Sequence, residues 1–300
     1  MNSQNTILSS PVAPHPKTTY HTATVNGLGI FYREAGSPQN PTVLLLHGFP
    51  TSSHMFRELI PALAEHFHVI APDYPGFGQS SAPSVDDFKY TFDNLAGLLE
   101  AFLQQIGCTR FALFMQDYGA PVGYRIAARH PEWITALLVQ NANAYMEGVN
   151  TDTFAPFFPF WQNRNAETEA PIRGFLGLGT TKFQYTHGAR NPAAISPDNW
   201  QHDQPLLDRP GNDLVQLALL HDYQNNPPVY PQWQEYFRQH QPPTLITWGK
   251  NDPFFKPEGA QAYLKDLPKA KLHLFDTGHF ALEEDGPAIA ALIANFLKAN

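Results

Sequence analysis

The stretch Phe111-Ala-Leu-Phe-Met115-Gln116-Asp117-Tyr118-Gly119-Ala-Pro-Val-Gly123 decides how this chain is read. Phe111–Phe114 is an unbroken apolar run of strand length, and a helix is expected to begin near Ala120. Little chain separates the two, so the strand must turn sharply into the helix with Asp117 at the point of the turn. A side chain held there stands exposed at the carboxyl edge of a sheet, where α/β proteins place reactive groups. Gly119 supplies the room that such a turn needs. Taken alone, Asp117 reads equally well as a helix cap or as a nucleophile.

The same strand-and-helix rhythm continues on both sides. Val43–Leu46, Val69–Ala71, Ala136–Val139, Leu245–Trp248 and Leu272–Phe275 are short apolar runs that suit buried strands of a mostly parallel sheet. Leu95, Leu98, Leu99, Phe102, Leu103 and Ile106 recur at helical spacing, with Gly107 as the stop. Ile289, Leu292, Ile293, Phe296 and Leu297 do the same near the end. Thr22–Val25 and Ile30–Arg33, split by Asn26-Gly27, read as an antiparallel hairpin.

Residues 144–241 break this rhythm. They are rich in Pro, Asn, Gln and aromatics, among them Phe154, Phe157, Trp161, Trp200, Tyr223 and Trp233, and contain no recognisable buried strand. An aromatic, mostly helical insertion of this kind suits a cap over a pocket, because small-ligand clefts are lined this way. The expected organisation is therefore a polar tail over 1–17, a core made of 18–143 and 242–300, and a helical cap over 144–241.

Composition narrows the function. The chain has 300 residues, is 43% hydrophobic and 13% aromatic, and carries a formal charge of −8. Such a chain can bury a real core, and its mild acidity speaks against nucleic acid or an anionic membrane as partner. The single cysteine, Cys108, excludes an intramolecular disulfide and a multi-cysteine metal site. A cytoplasmic protein acting on a small, largely apolar organic molecule is the expectation, with a homodimer left open. His54, His66 and His68 lack metal-ligand spacing, and no cofactor or metal is implied.

Three further pieces bear on Asp117. His47-Gly48-Phe49-Pro50 follows the run Val43–Leu46, where the backbone N–H of Phe49 can join that of Tyr118 in an oxyanion hole. Asp252 lies in Trp248-Gly-Lys-Asn-Asp252, and His279 in Asp276-Thr-Gly-His279; each sits in a loop just after an expected strand. The order nucleophile, acid, histidine is that of a hydrolytic triad on an α/β sheet.

The motifs HGFPTSS (His47–Ser53), DYPGFGQS (Asp73–Ser80), QDYGAPVG (Gln116–Gly123), GKNDPF (Gly249–Phe254) and DTGHF (Asp276–Phe280) carry a clear resemblance. From about Thr22 to Leu297 the chain resembles the epoxide hydrolase and haloalkane dehalogenase branch of the α/β-hydrolase superfamily. That resemblance implies an α/β-hydrolase fold with a helical cap. It also implies that Asp117 forms a covalent alkyl ester, that His279 activates water against it, and that Asp252 orients His279.

The leaving group is read from the cap. His221-Asp-Tyr223-Gln-Asn225 resembles the stretch that carries a ring-opening tyrosine in epoxide hydrolases, so Tyr223 is the candidate acid. The second tyrosine usual in that family is missing from Phe154–Trp161. Tyr185, Tyr145 or the Trp161 indole stand in as expected donors, and Phe157 and His187 join Trp161 and Tyr185 as expected substrate contacts. Tyr118 and Phe49 occupy positions where haloalkane dehalogenases usually hold halide-binding Trp and Asn. Tyr118 and Pro121 likewise replace the arginines with which fluoroacetate dehalogenases grip a carboxylate. Epoxide hydrolysis is the leading expectation. Dehalogenation, a hydrolase using Asp117 only as a base, and a catalytically idle ligand-binding fold stand as alternatives.

Overall fold

The computed structural model describes residues 17–300, so nearly all of the expected N-terminal tail lies outside the described residues. Eight strands form one sheet: β1 (Thr19–Val25), β2 (Leu28–Ala35), β3 (Thr42–Leu46), β4 (His68–Pro72), β5 (Phe111–Gln116), β6 (Ile134–Gln140), β7 (Thr244–Gly249) and β8 (Lys271–Phe275). Their order is β1-β2-β4-β3-β5-β6-β7-β8. The first three in that order pair antiparallel and the rest parallel. Asn26 and Gly27, at φ +51° and +82°, make the tight turn of the opening hairpin.

β3, β5 and β7 occupy the interior of the sheet, and their apolar runs are buried on both faces. Alternate residues feed two cores: Leu44, Leu46, Leu113 and Met115 one, Val43, Leu45, Ala112 and Phe114 the other. The helix Phe92–Gln105 buries Leu95, Leu98, Leu99, Phe102 and Leu103 on the first face. The helix Leu282–Ala299 buries Ile289, Ala290 and Ile293 on the second. One expectation is corrected. Leu272–Phe275 is a strand, but it is the sheet's edge, and Leu274 is 42% exposed because only β7 pairs with it.

Between β6 and β7 the described chain contains helices and 3-10 turns and no strand. The helices are short, and two of them carry an internal proline, Pro171 and Pro205. What holds this segment is packing: Phe154, Phe157, Phe160, Tyr223, Trp233 and Phe237 run into the first core. No helix among the described residues is long and apolar enough to cross a membrane.

Candidate active site

Parallel strands deliver five groups to one edge of the sheet. Phe49 follows β3, Asp117 β5, Asn141 β6, Asp252 β7 and His279 β8. The turn between β5 and the helix Gly119–Arg129 leaves Asp117 at φ +50°, a left-handed conformation that costs a non-glycine residue about 1 kcal/mol or more. Its backbone N–H is anchored on the carbonyl of Asn141 at 3.2 Å, and its carbonyl accepts from Ala120 N–H at 3.0 Å. A Cβ at position 119 would stand 2.4 Å from the Leu46 carbonyl oxygen, which is why only glycine fits there. Gly48 answers the same constraint: a Cβ there would meet the Cβ of Asp117 at 2.3 Å.

The Phe49 N–H donates to Asp117 Oδ1 at 2.7 Å, and the Tyr118 N–H lies beside the carboxylate and favours its charged form. Backbone N–H groups so placed favour negative charge at this carboxyl. Burial pushes the Asp117 carboxyl above its ordinary range, against the opposing pull of His279 and the two N–H groups. His279 Nδ1 lies 2.7 Å from Asp252 Oδ2, and with the proton on Nδ1 the neutral ring carries its lone pair on Nε2. Burial alone would lower His279, but the carboxylates of Asp252 and Asp117 outweigh it and hold the imidazole above its ordinary 6.5. His279 Nε2 stands 3.9 Å from Asp117 Oδ2.

A narrow cavity opens over Asp117, lined by Phe49, Tyr118, Phe154, Phe157, Phe175, Gln184, Leu220, Tyr223, Phe254 and Phe255. Phe157 and Tyr223 therefore line the same cavity as the carboxylate. Burial raises the Tyr223 phenol well above its usual value, so it keeps its proton, and the neighbouring Tyr230 adds to the shift. Asn143 Nδ2 in turn donates to the Tyr230 hydroxyl at 3.4 Å.

Four expected cap contacts are corrected. The Trp161 indole N–H is spent on the Leu220 carbonyl at 2.8 Å, and its ring stacks behind Tyr223. Tyr185 donates to Asp203 at 2.6 Å and stacks on Phe280, within the core on the opposite face of the sheet. Tyr145 donates to Asp266 at 2.7 Å, away from the cavity. His187 is exposed at the end of its helix and rests against Phe183.

A family model described as alpha/beta hydrolase fold matches residues 41–286, most of the chain. The chain belongs to that family. This α/β hydrolase is 41% identical over 278 residues to the uncharacterized hydrolase YNR064C of Saccharomyces cerevisiae, covering 92% of this chain and 95% of that protein. A haloalkane dehalogenase of Bradyrhizobium diazoefficiens is 39% identical over 141 residues, which is 47% of this chain and 41% of that enzyme. Among solved structures, the haloalkane dehalogenase DatA from Agrobacterium tumefaciens C58 superposes with a TM-score of 0.77 at 22% identity, covering 94% of this chain and 97% of that one. At that identity the likeness speaks for the fold.

Sequence reading of this hydrolase missed three residues at the site. Asn141, at φ +43°, donates to Asp252 Oδ2 at 2.8 Å and accepts the Gly249 N–H at 2.9 Å, tying the ends of β5, β6 and β7 together. Its signal was available: a buried amide directly after an expected strand, like Asp117 and Asp252. Gln116 Nε2 lies 2.9 Å from His279 Nε2, while its Oε1 is buried without a partner. Gln184, 3% exposed, lines the cavity with its amide nitrogen unpartnered. A roomier crevice, about 490 Å³ against about 40 Å³ beside Asp117, lies at the amino ends of β3 and β5, near Thr42, Arg110 and Ala112. It holds no acid–base pair, so size is a poor guide to the chemistry here.

Proposed function

We propose that the protein hydrolyses epoxides to diols through an alkyl ester of Asp117, with residues 144–241 acting as the cap. The observation that carries this reading is that Asp117 and Tyr223 line one narrow aromatic cavity. Asp117 attacks an oxirane carbon, and the breaking C–O bond leaves an alkoxide that takes the Tyr223 proton. Water, deprotonated by His279 Nε2, then adds to the Asp117 carboxyl carbon, and the oxyanion is held by the N–H groups of Phe49 and Tyr118. Collapse expels the diol oxygen from Asp117, His279 returns its proton to that oxygen, and the proton lost by the adduct restores Tyr223.

Carboxylate chemistry at saturated carbon fits this site better than acyl transfer. Asp117 needs no base to activate it, and an acyl intermediate on a carboxylate would be an anhydride. A halide takes no proton and so makes no use of Tyr223 as an acid, whereas the Gln184 amide N–H, unpartnered in the same cavity, suits either leaving group and the Trp161 indole is satisfied elsewhere.

Dehalogenation is the second reading, supported by the haloalkane dehalogenase relative. A panel of small epoxides and haloalkanes separates the two, scored for diol and for halide, with Asp117→Asn as the control. Diol without halide release, abolished in Asp117→Asn, is the expected result. Halide release without epoxide turnover would replace this reading with the second, and turnover unchanged in Asp117→Asn would end both.

A further inference from the structure

We infer that Gln184 is a second donor to the departing oxygen beside Tyr223; this rests on the epoxide reading above. Three observations carry it. Gln184 sits on the helix Leu178–Thr186 and lines the same cavity as Asp117 and Tyr223. It is 3% exposed, and its Nε2 has no hydrogen-bond partner in the protein. Most of the remaining lining is apolar: phenyl rings and Leu220.

A buried amide without a partner is unfavourable, and packing gives no reason for it here, since a methionine of the same length would fill the space without that cost. The amide becomes satisfied when the cavity holds an acceptor. In a simple alkyl epoxide the sole acceptor is the oxirane oxygen, whose charge grows as the ring opens. An N–H aimed at that oxygen is therefore worth more in the transition state than in the bound substrate. Tyr223 transfers its proton, and Gln184 donates a hydrogen bond and keeps both of its own. Its neighbour Tyr185, one residue on, turns to the other side and is fully engaged with Asp203.

The test is a single turnover of a terminal alkyl epoxide with no heteroatom beyond the oxirane oxygen. The mass of the intact protein follows the growth and decay of alkylated Asp117. Gln184→Met is expected to slow alkylation about 10- to 100-fold, to leave decay of the ester within about twofold, and to melt no lower than the parent. Gln184→Leu removes the donor at similar size and serves should the methionine variant not fold. Its alkylation is expected to slow to the same extent. Either folded variant alkylating at the parent's rate, or Gln184→Met slowing both steps alike, overturns the assignment. A parent protein that is never alkylated removes the epoxide reading itself, and this assignment with it.

Discussion

His279 Nε2 stands 3.9 Å from Asp117 Oδ2, beyond hydrogen-bond reach. A serine nucleophile would need that histidine in contact, to take its proton. A carboxylate has no proton to give up, so in the proposed mechanism the base serves a water instead, and that water takes the place of the Gln116 amide now 2.9 Å from His279 Nε2. Removing it should therefore stop the second step and spare the first. His279→Gln is expected to lower kcat by at least about 10²-fold and to accumulate protein heavier by one substrate molecule. Intact-mass measurement after mixing with substrate checks this; a slow variant that gains no mass would count against it.

The pH dependence carries a sign that follows from the same pair. Asp252 and Asp117 together hold His279 above 6.5 against the effect of burial. Esterification removes the charge on Asp117 and with it one of the groups that raise the imidazole. The histidine should shed its proton more readily once the ester exists, which is when a base is required. The acid limb of ester hydrolysis is thus expected at a lower pH than the His279 titration of the free protein, followed by NMR. An acid limb at or above the free-protein value would contradict this.

Asp117 is also expected to burden the fold. Burial raises its carboxyl above the ordinary 3.8. A group raised on folding stabilises the native state below its unfolded value, and that contribution is lost as pH climbs through the folded value. Above that window the charged carboxylate is a cost. Asn is isosteric and tolerates φ +50°, so Asp117→Asn should melt above the parent at pH 8. The gap should narrow as pH falls towards 4. Calorimetry at several pH values reads the trend, and a variant less stable at pH 8 would refute it.

Much of this is legible in the sequence. Asp117, Asp252 and His279 each follow an apolar run, and a parallel sheet brings the ends of such runs to one edge regardless of the loops between them. The helical segment between β6 and β7 is not legible in that way. Its helices are short and interrupted by Pro171 and Pro205, so no long apolar period sets which side chain faces inward. Gln184 and Tyr185 are neighbours on one helix, about 100° apart around its axis, and the one that faces the cavity is decided by long-range partners such as Asp203 and Phe280. The Trp161 indole, similarly, is captured by a carbonyl 59 residues away.

Asn141 offers a structural test away from the reacting atoms. Its amide bridges Asp252 and Gly249 from a backbone at φ +43°. Asn141→Ala leaves the Gly249 N–H and part of Asp252 unsatisfied and strains the new residue, at an expected cost of about 2–4 kcal/mol. Denaturant unfolding measures the loss. Asp252 retains the Phe254 and Phe255 N–H groups at 2.7 and 3.1 Å, so some activity should survive at low temperature. A stability within 0.5 kcal/mol of the parent, on the order of an ordinary surface substitution, would show that the bridge matters little.

The ester on Asp117 is tested most directly by one turnover in ¹⁸O-labelled water, with enzyme in excess over the substrate that the panel identifies. The product's new oxygen should come from Asp117 and be unlabelled, while the peptide carrying Asp117 gains one ¹⁸O. Label appearing directly in the product, with Asp117 unlabelled, would contradict the covalent route.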